Sequence, residues 1–249
     1  MTPMTSYLLP AEGHVHLGTF VKSTAPQVIE ILADAGLDFA VLDAEHAPWD
    51  RAALDIAILA GRGLGLPLFV RVLDRQASTL LALLDLGATG VLVPHVDTAD
   101  QAREVVAHAR YIGGDRGYSG SPRFAGYGRL GMQEAIRRGD QALVVCQIES
   151  VQAVEQAASI AAVPGVAGVF IGRADLALSM GLDTPRHARV DEATDHVMQV
   201  AAAAGKVIGV AVGSNAEREK YVALGARWIV QGSDQSLLRQ AAMAMRSPA

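Results

Sequence analysis

Short apolar runs alternate with longer stretches in which Ala and Leu recur at helical spacing, and the alternation continues without a linker. Runs rich in Val, Ile, Leu or Phe, bounded by Gly, Pro or polar residues, predict strands at 16–21, 39–45, 68–73, 90–96, 142–149, 166–172, 207–212 and 228–232. The helical spacing predicts helices at 26–35, 51–62, 77–86, 100–110, 151–162, 192–204, 215–224 and 235–245. Gly36, Gly87 and Gly225 stand where a helix must reverse into the next strand. Nearly continuous apolar strands are covered on both faces, as in a parallel sheet. Eight β-α units in a row therefore predict a single-domain α/β fold, a (β/α)8 TIM barrel rather than an open doubly wound sheet.

Residues 113–128 break the rhythm, with six glycines beside Arg116, Tyr118, Arg123, Phe124 and Tyr127. A loop this long in a compact domain is usually a lid, a binding loop or an interface arm. It is expected at the rim of the active site, serving its own subunit or a neighbour.

Composition narrows the class. Of 249 residues, 51% are apolar and 19% charged, enough for a sizeable core. The formal charge is -5 and no Lys/Arg cluster could neutralise a row of phosphates, which argues against nucleic acid. No apolar stretch approaches the ~18 residues of a membrane span, and the first basic residue is Lys22, so no membrane partner and a cytoplasmic location are expected. The lone Cys146 sits in an apolar run and is expected in the core.

A barrel collects its reactive groups at the C-terminal ends of its strands. The polar residues obey this rule: Asp43, Glu45 and His46 end strand two, Arg71 ends strand three, Gln147 and Glu149 end strand five, and Arg173 and Asp175 follow strand six. Gln147 and Glu149, two apart, point the same way. Carboxylates at the end of buried strands need a partner, so Glu149 and Asp175 suggest a shared hard cation such as Mg²⁺ or Mn²⁺. The bland alternatives are a helix cap for Asp175 and a salt bridge for Glu149. Arg71 is suited to an oxyanion, unless it simply pairs with Asp43 or Glu149. His46, beside two carboxylates, is a candidate base. The remaining histidines show no carboxylate partner at ligand spacing and receive no role.

These residues carry a family resemblance. The run from Gly36 to Pro48, with Asp43-Ala44-Glu45-His46-Ala47-Pro48, resembles the signature of the HpcH/HpaI aldolases, metal-dependent class II pyruvate aldolases. The likeness continues through Val70-Arg71-Val72, Gly87 to Pro94, Arg116-Gly117, Gln147 to Ser150, Phe170 to Leu176 and Gly232-Ser233-Asp234, nearly the whole chain. The resemblance implies a TIM barrel in which Glu149 and Asp175 hold a divalent metal, Mg²⁺ or Mn²⁺ with Co²⁺ as a further candidate. It further implies that Arg71 meets the keto or enolate oxygen, that His46 and Asp85 form a proton-handling dyad, and that Gln147 lines the wall. The Gly172, Arg173 and Ala174 segment then meets the pyruvate carboxylate. The implied reaction is reversible cleavage of a 4-hydroxy-2-oxoacid to pyruvate and an aldehyde, in a homo-hexamer that exchanges its C-terminal helices.

Three positions depart from the family pattern: Phe20 where tryptophan is frequent, Trp49 where asparagine follows Ala-Pro, and Arg173 where proline is frequent. Arg173 could add a second anion contact and favour acidic acceptors. Three rivals remain. A Schiff-base aldolase would need Lys22, the only one of three lysines near the mouth. A sugar-phosphate isomerase would use the loops at 213–215 and 232–234, which read better as helix caps. A silent barrel would bind an oxoacid without turning it over.

Overall fold

The computed structural model describes residues 14–246. Eight parallel strands close into a barrel in sequential order: β1 (His16–Val21), β2 (Phe39–Asp43), β3 (Leu68–Arg71), β4 (Gly90–Val93), β5 (Leu143–Ile148), β6 (Val166–Ile171), β7 (Val207–Val212) and β8 (Trp228–Ser233), with β8 pairing back onto β1. Around them run α1 (Gln27–Asp34), α2 (Arg51–Leu64), α3 (Ala77–Leu86), α4 (Ala99–Ala109), α5 (Met132–Gly139), the short α6 (Val151–Glu155) and α7 (Ala157–Ala161), α8 (Arg173–Ser179), α9 (Ala188–Ala203), α10 (Asn215–Ala223) and α11 (Asp234–Ala244).

Alternation along the strands sorts the core into two layers. Phe20, Phe39, Val41, Phe69, Leu92, Val145, Phe170 and Trp228 fill the barrel, with Trp228 stacked on Phe39 at 4.7 Å between ring centroids. Ala40, Leu42, Val70, Val91, Cys146, Ile171 and their neighbours face outward, under the helices. Burial pushes the Cys146 thiol up to about 12, as befits a packed core residue rather than a reactive one. The inward parity continues past the apolar filling: Asp43 follows Val41, Arg71 follows Phe69, and Gln147 and Glu149 follow Val145. Packing of the barrel thus aims these polar groups into its C-terminal mouth.

Asp, Thr and Ser side chains cap several helices. Asp50 caps α2 through Ala53 N–H, Thr98 caps α4, Ser150 caps α6 and Ser214 caps α10. Ser233 and Ser236 form the capping box of α11. Asp234 does not cap that helix as the sequence suggested; its carboxylate accepts Lys22 N–H and Ser23 N–H, both at 2.9 Å, and ties the turn after β1 to β8.

The glycine-rich segment corrects an expectation. It leaves α4, which runs away from the mouth, and packs on the outside of the barrel. Arg123 bonds Asp55 on α2 (2.7 Å) and the Leu86 carbonyl at the end of α3 (3.2 Å). Buried Arg116 lies over the Tyr111 and Phe124 rings and bonds Asp85 at 3.0 Å. Within one chain this segment does not border the mouth.

Candidate active site

The mouth is organised by an ion-pair chain across β1, β2 and β3. Asp43, fully buried, accepts Arg71 Nε at 2.9 Å on Oδ1, while its Oδ2 is ion-paired with Arg71 Nη2 at 2.8 Å and Lys22 Nζ at 3.1 Å. The His46 backbone N–H donates to the same carboxylate at 3.2 Å. Burial pushes the Asp43 carboxyl up, but the Arg71 bonds and charge, with Lys22 and the His46 amide, more than reverse this and hold it below the usual carboxylate range. Arg71 is therefore pre-oriented, with Nη1 left 3.2 Å from Glu45 and the guanidinium over Phe20 at 4.6 Å.

Across the mouth, Glu149 is 3% exposed. It accepts His95 N–H at 2.8 Å and the Gln147 amide. Burial pushes its carboxyl up, the Gln147 and His95 bonds oppose this, and the negative charge of Asp175 adds to the rise. Gly172 gives this carboxylate its room, since a Cβ there would stand 2.7 Å from Glu149 Oε2. The Gln147 carbonyl oxygen is buried without a hydrogen-bond partner. Asp175 lies in the first turn of α8, the helix that follows β6 directly. Glu149, whose carboxyl the charge of Asp175 pushes up, forms with Asp175 and the orphaned Gln147 amide oxygen an all-oxygen donor set that fits a hard divalent cation.

Two mouth residues were missed in the sequence. His95, in the loop just past β4, has φ 54°, its Nδ1 3.2 Å from Glu149 Oε1 and its Nε2 3.3 Å from Glu45 Oε1. It bridges the carboxylates of β2 and β5. Glu45 lies within the Asp43–Pro48 motif, and inward parity from Val41 through Asp43 points to it. For His95, no periodicity foretells the left-handed turn that swings the ring over the mouth.

Other expectations fare differently. His46 sits at the mouth, half exposed, 3.7 Å from Glu45. Asp85 does not join it: it lies at the far end of α3 and pairs with Arg116, so the His46–Asp85 dyad is not formed within one chain. Gly172 and Ala174 open α8 at the mouth, but the Arg173 guanidinium turns to α9 and α10. There it bonds Asp191 at 2.7 Å and the Pro185 carbonyl at 2.8 Å, and lies 5.2 Å from the Tyr221 ring centroid. Both bonds come from Nη2, and Nε is buried without a hydrogen-bond partner. Lys22, the Schiff-base candidate, is ion-paired with Asp43. Of the remaining departures, Phe20 floors the site under Arg71, and Trp49 Nε1 donates to the Val21 carbonyl at 3.0 Å, fastening the loop after β2 to β1.

Comparison with known proteins places this geometry in context. The family model described as HpcH/HpaI aldolase/citrate lyase matches residues 16–241. The chain is 38% identical over 240 residues to a 4-hydroxy-2-oxovalerate aldolase of Rhodococcus jostii, covering 94% of this chain and 92% of that one. It is 35% identical over 233 residues to a 5-keto-4-deoxy-D-glucarate aldolase of Shigella dysenteriae, covering 93% and 91%. A crystal structure of a HpcH/HpaI aldolase/citrate lyase family protein from Burkholderia cenocepacia superposes with a TM-score of 0.91 at 31% identity, covering 99% of this chain and all of the other.

Proposed function

The chain belongs to the HpcH/HpaI aldolase/citrate lyase family and is a carbon–carbon lyase of the aldolase type; from that premise we propose that it cleaves 4-hydroxy-2-oxoacids reversibly to pyruvate, or a related 2-oxoacid, and an aldehyde, using a divalent metal. The observation that carries this reading is the burial of Glu149 beside Asp175 at the mouth, opposite a pre-oriented Arg71.

Glu149 and Asp175 would hold Mg²⁺ or Mn²⁺, with Co²⁺ a further candidate. The ion, when bound, supplies Lewis-acid polarisation of the keto group and offsets the two carboxylate charges. Arg71, fixed by Asp43, turns its Nη1 edge, which also meets Glu45 at 3.2 Å, toward the keto oxygen, where negative charge grows as the C3–C4 bond breaks. His46 takes the proton of the 4-hydroxyl through water, and the electron pair of the broken bond ends on the enolate, which regains a proton at C3. Gln147 lines the wall. The first N–H groups of α8, at Arg173 and Ala174, lack intrahelical partners and suit the pyruvate carboxylate. Only the backbone of Arg173 takes part in this scheme.

A dyad of His46 with Asp85 would need the Asp85 of a second copy, which fits the proposed hexamer. So does α11, none of whose side chains is buried, with Leu238 72% exposed. A monomeric sedimentation profile would overturn the assembly. No helix among the described residues is long and apolar enough to cross a membrane, and we place the reaction in the cytoplasm.

The test is exchange of the pyruvate methyl protons in D₂O, followed by NMR, beside cleavage of 4-hydroxy-2-oxovalerate. Both should require Mg²⁺ or Mn²⁺ and disappear in Glu149→Gln. Cleavage undiminished in excess EDTA would sink the metal reading, and pyruvate binding without exchange would leave a silent barrel.

A further inference from the structure

The end of the barrel opposite the mouth holds a second group of ligand-type side chains. His14 and His16, two apart on the chain entering β1, share a face, and their rings meet edge-on at 4.7 Å between centroids. Asp38 immediately precedes β2, next to them. Its backbone N–H donates to the Leu17 carbonyl at 3.0 Å, and its Oδ2 accepts Leu17 N–H at 2.8 Å. With that oxygen engaged, Oδ1 is turned toward His14 Nε2, 3.6 Å away. His16 Nε2 is buried and has no hydrogen-bond partner.

We propose that His14, His16 and Asp38 form a second metal site, specific for a transition ion of the zinc class, at the foot of the barrel. One ligand atom from each residue lies within 4.8 Å of the others, and among the described residues this is the one place where three His, Cys, Asp or Glu side chains converge so closely. Bonds of about 2.1 Å in a tetrahedral set put donors about 3.4 Å apart, so the group needs only a modest contraction. His14, whose side chain is 53% exposed, supplies it most readily.

An ion pair between His14 and Asp38 would explain the first histidine and leave the second unexplained. A cation accepted by all three engages His16 as well. Two imidazoles and one carboxylate suit Zn²⁺ or Co²⁺, whereas Mg²⁺ takes oxygen ligands. The foot site is thereby distinct in chemistry from the all-oxygen pair at the mouth, and stands or falls independently of it. Three protein ligands leave one position for water or for another group. The bound ion would pin the entrance of β1 to that of β2, at the point where His16 N–H also joins β8 through the Arg227 carbonyl at 2.8 Å.

The experiment titrates Zn²⁺ calorimetrically into the full-length Glu149→Gln protein, which disables the mouth pair. Saturation at one equivalent is expected. Adding His14→Ala or Asp38→Asn should weaken binding at least tenfold, while excess Mg²⁺ should not compete. Asp38→Asn retains an acceptor for Leu17 N–H, and His14→Ala alters only an exposed ring, so both should melt in EDTA with their parent. With the mouth intact, His14→Ala should retain full Mg²⁺-dependent aldolase activity but lose the zinc-induced rise in melting temperature. Absence of saturable zinc binding, or a titration unchanged by His14→Ala, would overturn the proposal.

Discussion

The carboxylate of Glu149 occupies the space that a side chain at position 172 would need: a Cβ on Gly172 would stand 2.7 Å from Glu149 Oε2, 2.9 Å from its Cβ and 3.0 Å from Gln147 Nε2. The φ of Gly172 is -88°, so the position needs glycine for space and not for a left-handed backbone.

Gly172→Ala should therefore injure the site more than the fold. Overpacking of this kind costs about 1–3 kcal/mol. If the strain is relieved by turning Glu149 away from Asp175, one decade of rate per ~1.4 kcal/mol predicts a loss on the order of 10- to 100-fold. The check is metal-dependent deuterium exchange into pyruvate beside a thermal melt. A wild-type rate in Gly172→Ala would show that the carboxylate has room to spare.

Asp43 gives a prediction in pH. Its folded carboxyl lies below the unfolded value of about 3.8, because Arg71, Lys22 and the His46 amide outweigh its burial. Such a group contributes stability that is fully present above the unfolded value and fades as pH falls through the lower folded one. Acid titration of wild-type stability should thus steepen below pH 3.8, and Asp43→Asn should flatten that part of the curve. At neutral pH the variant leaves two cations facing a neutral amide, and breaking a buried pair typically costs ~3–5 kcal/mol. Denaturant melts as a function of pH test both halves; equal acid slopes would assign the acid sensitivity elsewhere.

Arg173 separates a structural role from a substrate role. Asp191 is shared by Arg173 at 2.7 Å, Lys220 at 3.1 Å and the Tyr221 hydroxyl at 3.4 Å. Loss of the guanidinium in Arg173→Ala should lower stability by about 1–3 kcal/mol, the usual cost of leaving such partners unpaired, and leave the preference between acidic and neutral aldehydes unchanged. A selective fall in turnover of acidic aldehydes would instead return Arg173 to the substrate.

Much of this architecture was legible before any coordinates. β1 and β7 begin and end where the apolar runs do, because Val, Ile and Phe runs bounded by polar residues have one stable use between helices. β2, β3 and β4 stop two or three residues short on the C-terminal side, as at Asp43 and Arg71, where ion pairs take over from the ladder, while β5 and β6 end one residue early and β8 one residue late. The predicted helix at 151–162 is divided between α6 and α7 at Gln156, α5 has no counterpart in the sequence pattern, and α8 was foreseen only as a helix that Asp175 would cap, whereas Asp175 lies in its first turn. α8 is short, and its apolar spacing merges with the strand before it. The placement of Glu149 and Asp175 near each other was legible because adjacent strand ends share a rim. The Arg173 pairing was not, since Asp191 arrives from α9, the next long helix. Nor was the placement of 113–128, which follows from the direction of α4 and not from its own glycines.

His95 yields the last prediction, because two of its properties separate in mutants. Its backbone N–H and ring Nδ1 both meet Glu149 Oε1, at 2.8 and 3.2 Å, while Nε2 lies 3.3 Å from Glu45. Its φ of 54° is a left-handed conformation that asparagine tolerates and β-branched residues resist. His95→Asn should keep the backbone bond, and with it the melting temperature, while removing the ring that braces the two carboxylates. His95→Val should lose the ring and in addition about 1–3 kcal/mol of stability from backbone strain. If the ring matters to catalysis, both variants should slow pyruvate methyl exchange by similar factors although only the valine variant melts early. Loss of rate that follows melting temperature, with Asn at wild-type level, would reduce His95 to a backbone donor.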